Sequence, residues 1–222
     1  MLKTVVLATR NQGKVNELRG ALAQFHLSVQ GLPDNFPEIP ENGTTFEENA
    51  LSKAFTVART LGIPALADDS GLEVDALHGA PGVFSARYSD DLPVKEGEGR
   101  DDRNNRKLLS ALAGVPASQR SARFHCCIAL VFPPQYKNAP ENIIVHGIWE
   151  GFIAEHPAGI HGFGYDPLFM VPGLNCTAAQ LNCEEKTALS HRGQALSKLM
   201  KALKYSFSQP KFSTDSGRDI CS

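Results

Sequence analysis

The chain has 222 residues and 42% of them are hydrophobic, which is enough to bury a sizeable core in one domain or in two small lobes sharing a sheet. The 22 Lys and Arg residues nearly balance the 24 Asp and Glu residues, and a net charge of −2 argues against a dedicated DNA or RNA binder. Five cysteines without paired CxxC motifs predict neither a zinc site nor a disulfide framework. Free thiols, with no apolar run of about 20 residues, predict a cytoplasmic protein that does not cross a membrane.

A strand, a turn and a helix are predicted at the start of the chain. Residues 5–8 form an apolar run typical of a strand covered on both faces, and a helix follows from Lys14 with Val15, Leu18 and Leu22 on one face. Backbone N–H groups at the positive end of that helix predict an anion site, although the turn lacks the residues of a P-loop. A capped turn with a surface lysine is the alternative. The candidate binding residues are Thr9, Arg10, Asn11, Gln12, Gly13 and Lys14.

Two overlapping capping boxes, Thr44 with Glu47 and Thr45 with Glu48, predict a second helix that ends at Gly62. Lys53 on this helix could reach a phosphate, and either Glu38 or Glu41 in the loop before it could reach a metal. For each of these residues the alternative is an ordinary solvated side chain.

A short strand at residues 65–67 is predicted to end in Asp68-Asp69-Ser70-Gly71, and residues 72–77 suggest another strand. Ligands of α/β sheets lie beyond the carboxyl ends of strands, and neighbouring strand residues point in opposite directions. One Asp is therefore expected to face a cleft, where it could bind Mg²⁺ or take a proton from water, while the other supports the loop. A solvated turn is the alternative.

The second half of the sequence predicts a helix over residues 103–112 and two strands, 122–132 and 143–153, joined as a hairpin. Combined βα units and a hairpin predict an α/β protein with a mixed sheet. The polar tail from about residue 206 to residue 222 is predicted to be disordered.

A glycine-rich loop at residues 159–167 lets backbone approach a ligand closely. Phe163 and Tyr165, which flank Gly164, offer rings on which a base could stack for about 1–3 kcal/mol, and Asp166 could accept hydrogen bonds. The alternative is an aromatic hairpin that completes the core.

A final helix is predicted to begin with Ser190 as its N-cap, followed by His191 and Arg192. Positive charge there opposes the helix dipole, which suggests a functional role. Arg192 can donate a fork of hydrogen bonds to a carbonyl edge, and Lys186 could assist it. The absence of a Ser–His–Asp or Cys–His arrangement favours attack by a metal-activated water.

Seven motifs occur in an order that resembles one family: TRNQGK, ENGTTFEENALSKA, ADDSGL, GAPGVFSARY, RFHCCIAL, PAGIHGFGYDPLF and EEKTALSHRGQAL. The chain resembles the inosine/xanthosine triphosphate pyrophosphatases, the Ham1-like enzymes that act on noncanonical purine nucleotides, from about residue 5 to residue 203. Each motif alone is weak, and the ordered set is specific.

The resemblance implies an elongated α/β fold with a long central mixed sheet, flanking helices and two lobes around a cleft, all within one domain at residues 1–205. It also implies a homodimer and the Mg²⁺-dependent hydrolysis of ITP, dITP or XTP to the monophosphate and pyrophosphate. The implied roles are a triphosphate site at Thr9, Asn11, Lys14 and Lys53, a catalytic Asp69 that shares the metal with Glu41, a substrate contact at Ser70, a nucleoside pocket at Phe163, Gly164, Tyr165 and Asp166, and purine recognition by Lys186, His191 and Arg192.

Two features depart from the family pattern. Arg10 replaces the small or polar residue expected in the first turn, and residues 93–103 form an insertion to which the sequence assigns no role. The competing interpretations are a Maf-like nucleotide pyrophosphatase, a nucleotide sensor without hydrolysis, and a single-stranded RNA binder, which the charge balance disfavours.

Overall fold

The computed structural model describes residues 2–23, 27–137 and 139–208, which are built around a sheet of seven strands. The strands, in chain order, are β1 (Thr4–Leu7), β2 (Ser28–Gln30), β3 (Ala65–Val74), β4 (Ser121–Val131), β5 (Ile143–Ile153), β6 (Phe169–Val171) and β7 (Cys176–Thr177). They lie side by side in the order β2-β1-β3-β4-β5-β6-β7, with β1 parallel to both of its neighbours and every other pair antiparallel. The predicted α/β fold with a mixed sheet is confirmed.

Helices flank this sheet: α1 (Gln12–Ala23), α2 (Phe46–Leu61), α3 (Arg100–Ala111), α4 (Cys183–Leu189) and α5 (His191–Ser208). None of them, within the described ranges, is long and apolar enough to cross a bilayer. The tail predicted to be disordered begins inside α5 and otherwise lies outside the described residues. The single-domain boundary at residue 205 stays a prediction.

The N-terminus of α2 shows how local sequence sets a helix boundary. Thr45 Oγ1 accepts a hydrogen bond from the Glu48 N–H, and the Glu48 carboxylate accepts one from the Thr45 N–H, which completes the predicted capping box. The predicted second box is wrong, because the Thr44 N–H also donates to Glu48 rather than to Glu47. Gly62 ends the helix with a left-handed φ of 67°.

Alternation along the strands places helices on both faces of the sheet. In β1, Val5 and Leu7 pack in a cluster with α1 and α5, whereas Val6 and Ala8 pack with α2. The buried face of α1 is the predicted one, Val15, Leu18 and Leu22. A third apolar cluster, at the far end of β3, β4 and β5, receives α3 and the strand β6.

The strand β3 corrects the sequence prediction most strongly. Residues 65–74 form one continuous strand paired with β4 along its whole length, rather than two strands separated by an Asp-Asp-Ser-Gly turn. Asp68 pairs with Ile128 and Asp69 with Cys127 in this ladder. The long antiparallel partner overrides the turn preference of these four residues, because each of them gains a place in the ladder.

The other edge of β3 has a partner strand only at its first residues, and near its end the Leu72 N–H donates to Ser85 Oγ and Glu73 forms a bridge to Pro81. β1 pairs with β3 only at Ala65 and Leu66, and the Ala8 N–H donates to the Leu66 carbonyl at 2.8 Å. The chain then leaves the sheet for α1. The edge at Asp69, Ser70 and Gly71 therefore faces a cleft at the carboxyl end of β1, which is the place where α/β sheets bind ligands.

The first turn of α5 packs directly on the backbone of β5. A Cβ atom on Gly147 of β5 would lie 1.9 Å from the His191 carbonyl oxygen and 2.8 Å from the Ala195 nitrogen. Only glycine fits at this crossing, since neither backbone group can move without shifting the helix.

We predict that Gly147→Ala destabilises the protein by at least about 2 kcal/mol, because the added methyl group displaces the start of α5. Gly20→Ala is the matched control. Gly20 lies in α1, and a methyl group added there would meet no described atom within 4 Å, so alanine should stabilise the helix by up to about 1 kcal/mol. Urea denaturation of both variants provides the measurement. Equal stabilities would contradict the close α5–β5 contact.

Candidate active site

The cleft at the carboxyl end of β1 has a volume of about 590 Å³ and brings together most of the predicted site residues. Its lining comes from the turn after β1, α2, the middle of β3, the start of α3, the glycine-rich loop and the start of α5. Gln12 and Gly13 are the predicted binding residues that do not line the cleft within the described part of the chain; they form the first turn of α1 behind it.

The turn after β1 is held by its own side chains. Thr9 Oγ1 accepts a hydrogen bond from the Asn11 N–H at 3.2 Å, and Asn11 Oδ1 accepts one from the Lys14 N–H at 3.1 Å, which caps α1. Lys14 then extends its ammonium group to within 2.6 Å of Oδ1 of Asp68. The capped turn is therefore present, and Lys14 lines the cleft rather than lying on the open surface, while the anion site stays a prediction.

Arg10 supports a neighbouring loop. Its guanidinium group donates to the backbone carbonyl oxygens of Asp34, at 3.2 Å, and of Phe36. This departure from the family pattern thus braces the proline-rich loop that carries Glu38 and Glu41, and both of those residues line the cleft.

Asp68 is fully buried and anchors three elements. Its carboxylate lies 2.6 Å from Lys14 Nζ and 3.1 Å from Arg192 Nε, and it accepts a hydrogen bond from the Cys126 thiol at 3.0 Å. Burial opposes ionisation, but the charges of Arg192 and Lys14 outweigh it and hold the pKa of Asp68 well below its usual range. Asp68 is therefore the supporting member of the Asp pair.

Asp69 points to the opposite face of β3 and lines the cleft, as alternation along the strand requires. Lys53 Nζ lies 2.7 Å from Asp69 Oδ1 and 2.7 Å from Glu41 Oε1, and Asn49 Nδ2 donates to Asp69 Oδ2 at 3.3 Å. Arg87 also donates to Glu41, at 3.2 Å. The predicted metal ligands Asp69 and Glu41 thus lie close together, on either side of Lys53 Nζ.

The ionisation of this group follows from its burial. Burial raises the pKa of Asp69 above its usual value, and the nearby Lys53 and Lys14 offset this only in part. Burial also opposes the charge of Lys53, but the carboxylates of Asp69 and Glu41 outweigh it and raise its pKa. The alternative in which Lys53 is an ordinary solvated side chain is wrong, since the residue is only 7% exposed.

The far end of the cleft contains a second charged cluster. Lys186 Nζ lies 2.6 Å from Asp166 and 2.9 Å from Glu17, and Arg192 Nη1 also pairs with Glu17. Arg192 Nη2 donates to Ser70 Oγ at 2.9 Å. Arg192 therefore joins the start of α5 to α1 and β3.

The two loop aromatics have different environments. The Phe163 ring lies at the cleft, with Lys186 Nζ 5.0 Å and Arg192 Cζ 5.7 Å from its centre. Tyr165 is 4% exposed, packs in the apolar cluster around α3, and donates from its hydroxyl to the Ser85 carbonyl at 2.9 Å. A stacking role is thus open to Phe163, whereas the core interpretation applies to Tyr165.

Asp166 is buried beneath this loop. Its Oδ2 accepts hydrogen bonds from the Phe163 N–H at 2.8 Å and from Lys186 at 2.6 Å. Burial raises the pKa of Asp166, and Lys186 offsets this in part. Asp166 therefore fixes the loop and positions Lys186, in addition to lining the cleft.

The prediction that His191 and Arg192 both bring positive charge to the start of α5 needs a correction. His191 is buried and stacks on Phe124, with ring centres 4.8 Å apart and 14° between the planes. Burial, together with the adjacent Arg192, holds the pKa of His191 well below its usual value, so the ring is neutral at physiological pH. Only Arg192 is charged, and Asp68 and Glu17 compensate it.

His191 also has an unused polar atom. Its Nδ1 is buried and has no hydrogen-bond partner among the described residues. A buried imidazole nitrogen costs free energy unless a ligand satisfies it. Ser190 caps α5 as predicted, since its Oγ accepts a hydrogen bond from the Gly193 N–H at 3.1 Å.

Four residues that contact the charged side chains of the site in the described structure were not predicted. Glu17 follows Lys14 by one helical turn, and its carboxylate joins both cations of the far cluster; burial opposes its ionisation, but Arg192 and Lys186 lower its pKa. A carboxylate one turn after a candidate phosphate lysine was the available signal. The remaining three lie within the family motifs: Asn49, Arg87 and Cys126.

Two proteins of similar sequence are named dITP/XTP pyrophosphatases. A dITP/XTP pyrophosphatase of Nitratidesulfovibrio vulgaris is 56% identical over 201 residues, covering 89% of this chain and 94% of the relative. The dITP/XTP pyrophosphatase of Vibrio cholerae is 50% identical, covering 91% and 97%.

Two solved structures resemble this chain in both fold and sequence. A HAM1 protein from Coxiella burnetii has a TM-score of 0.78 and 45% identity, covering 92% of this chain and all of that one. The nucleoside-triphosphatase, or dITP/XTP pyrophosphatase, of Mycobacterium abscessus has a TM-score of 0.68 and 42% identity, covering 90% and 99%. The sequence profile of the Ham1 family matches residues 5–202. The chain belongs to the Ham1 family.

Proposed function

We propose that this chain is a nucleoside-triphosphate pyrophosphatase that hydrolyses the noncanonical purine nucleotides ITP, dITP and XTP to the monophosphate and pyrophosphate. One observation carries the proposal, which is that a single cleft has two chemically different ends. One end holds the carboxylate–lysine group of Glu41, Lys53 and Asp69, and the other holds hydrogen-bond donors such as Lys186 and Arg192. The names of relatives that share about half of their residues with this chain support it.

The end of the cleft near α1 and α2 suits a triphosphate. Lys14 and Lys53 both line it and supply positive charge, and Thr9 and Asn11 place hydrogen-bonding groups on the same side. Fixed cations stabilise the charge that develops when the bond between the α-phosphorus and its bridging oxygen breaks and pyrophosphate leaves.

Asp69 is positioned to take the proton of the attacking water. Its raised pKa makes it a better proton acceptor than an ordinary surface carboxylate, and Lys53 and Asn49 fix its orientation. The hydroxyl oxygen then forms the new bond to the α-phosphorus, and Lys14 and Lys53 remain paired with negative charge throughout.

The residues also fit a Mg²⁺ ion. No group of three or more His, Cys, Asp or Glu side chains forms a metal cage in the described ranges. Mg²⁺ typically takes one or two carboxylates together with substrate phosphates and water, which matches Glu41 and Asp69 on one side of the cleft. When bound, the ion would neutralise phosphate charge and lower the pKa of a bound water.

The other end of the cleft suits a 6-oxo purine. Lys186 and Arg192 are donors that stay charged, and the neutral His191 offers a polar atom without a protein partner among the described residues. A 6-oxo group accepts from such donors, whereas the 6-amino group of adenine leaves them unpaired, which disfavours ATP. Phe163 supplies the ring face for stacking.

The rival interpretations fit less well. A Maf-like enzyme is disfavoured by membership of the Ham1 family, and a sensor without hydrolysis leaves the buried Asp69–Lys53–Glu41 group without a purpose. The homodimer, the cytoplasmic location and the lack of nucleic-acid binding stay predictions from the sequence.

We expect the purified protein to release pyrophosphate from XTP, dITP and ITP, with ATP and GTP as poor substrates. Chelation of divalent metal should abolish release and added Mg²⁺ should restore it, because without the ion the carboxylates of Glu41 and Asp69 repel the phosphates. A coupled pyrophosphate assay over this panel makes the measurement. Release of orthophosphate instead, or hydrolysis of ATP or GTP as fast as XTP, would contradict the proposal.

We expect Asp69→Asn to lower kcat by about 10²–10⁴-fold, because asparagine keeps the shape of the side chain but cannot accept the proton. Its melting temperature should change little, since Glu41 still pairs with Lys53. Steady-state kinetics on XTP and a thermal melt of the same preparation separate the two effects. A variant with near wild-type kcat would remove Asp69 from the catalytic role.

Asp68→Asn should behave differently. Removing the charge leaves Lys14 and Arg192 without their buried partner, and the loss of one member of a buried ion pair costs about 3–5 kcal/mol of stability. Asp91→Asn is the control, because Asp91 forms an exposed pair with Lys107 and its loss should not move the unfolding midpoint. Equal midpoints for the two variants would argue against the anchoring role of Asp68.

A further inference from the structure

The start of α3 contacts the loop at residues 162–166 (the nucleoside loop) through the backbone N–H and C=O groups of a single residue, Gly164. Asp101 Oδ2 accepts a hydrogen bond from the Gly164 N–H at 2.7 Å, and Asn105 Nδ2 donates to the Gly164 carbonyl oxygen at 2.9 Å. The two side chains are four residues apart, so they project from the same face of the helix. The Gly164 residue is thereby held through both of its backbone polar groups.

Neither contact is explained by the packing of α3 itself. In the described structure, the bond to Gly164 is the only side-chain hydrogen bond of Asp101 and of Asn105. The Asn105 Oδ1 atom is buried and has no partner among the described residues. A buried amide is costly when only half satisfied, so its one remaining bond, to the loop, is the interaction that offsets its burial.

Gly164 is the point at which the nucleoside loop needs an external support. The residues on either side are fixed by other contacts: the Phe163 N–H donates to Asp166, and the Tyr165 hydroxyl donates to Ser85. Gly164 lies between them with a left-handed φ of 63°. Glycine adopts positive and negative φ about equally well, so the residue itself does not fix this conformation. The contacts from α3 select this conformation.

The conformation of Gly164 sets the position of the Phe163 ring. A Cβ atom on Gly13 would lie 2.7 Å from this ring, so the ring packs directly on the first turn of α1. Lys186 Nζ lies 5.0 Å from the ring centre on the side of the base-binding cluster. A rotation of the neighbouring peptide would remove Phe163 from both contacts.

We infer that Asp101 and Asn105 are positioning residues that hold Gly164 and so set Phe163 for recognition of the purine. The inference rests on the proposed function, and it gives a role to the end of the insertion at residues 93–103. The start of α3 therefore contributes to purine recognition, although neither side chain is required to touch a reacting atom.

The first test measures KM and kcat for XTP. Asp101→Ala and Asn105→Ala should each raise KM about tenfold and change kcat less than about threefold, because binding of the nucleoside is lost equally from ground state and transition state. Asp101→Asn keeps an acceptor oxygen and should restore KM to within about threefold of wild type. A fall in kcat with an unchanged KM would overturn the inference.

A double-mutant cycle with Phe163→Ala tests whether α3 acts through this ring. In the Phe163→Ala background, Asp101→Ala should raise KM less than about twofold further, because the positioned group is already absent. Independent tenfold effects that multiply would show that Asp101 does not act through Phe163. Asp102→Ala is the matched control on the same helix: its carboxylate bonds to the Gly99 N–H and not to the loop, so KM should stay within about twofold of wild type.

Hydrogen–deuterium exchange tests the contact without reference to activity. In a peptide covering residues 160–168, Asp101→Ala should speed amide exchange about tenfold, whereas Asp102→Ala should leave it unchanged. Unchanged exchange in Asp101→Ala would overturn the inference. If wild type releases no pyrophosphate from any nucleotide, the proposed function fails, and the exchange measurement still decides whether α3 holds the loop.

Discussion

The site depends on the unequal lengths of two neighbouring strands. β1 pairs with β3 only as far as Leu66, whereas β3 continues to Val74 with β4 on its other edge. The unpaired edge that results carries Asp68 and Asp69 on opposite faces, and a carboxylate on each face requires a cation beside it. The helices α1, α2 and α5 each supply one, so the charges on one strand relate the three helices around the cleft.

Local sequence signals predicted much of this fold. The Thr45–Glu48 capping box, the apolar face of α1 and the β4–β5 hairpin all have signals within a few residues, and the structure contains each of them. The ordered motifs also identified the family, and they named most of the side chains that line the cleft. These features share one property, which is that neighbours in sequence determine them.

Features that depend on distant partners were not predicted. Asp68 and Asp69 have turn-forming neighbours, and only the pairing with β4, near residue 127, makes them part of a strand. Glu17 resembles a solvated helix residue until α5 brings Arg192 beside it, 175 positions away in sequence. The neutral state of His191 likewise follows from its burial against Phe124, which no local pattern reports. The short strands β2, β6 and β7 are also set by their neighbours in the sheet and not by a pattern of their own.

The helix α1 joins the two ends of the cleft, because Lys14 in its first turn pairs with Asp68, and Glu17 one turn later pairs with Lys186 and Arg192. A change in the charge balance around Arg192 therefore reaches the phosphate side through Asp68 and through the helix itself. In thermodynamic terms the two halves of a nucleotide are linked ligands, and each must alter the affinity of the other by the same factor. The affinity for a free nucleoside should therefore change when a free polyphosphate occupies the other end of the cleft, and the ratio of the two affinities measures the coupling.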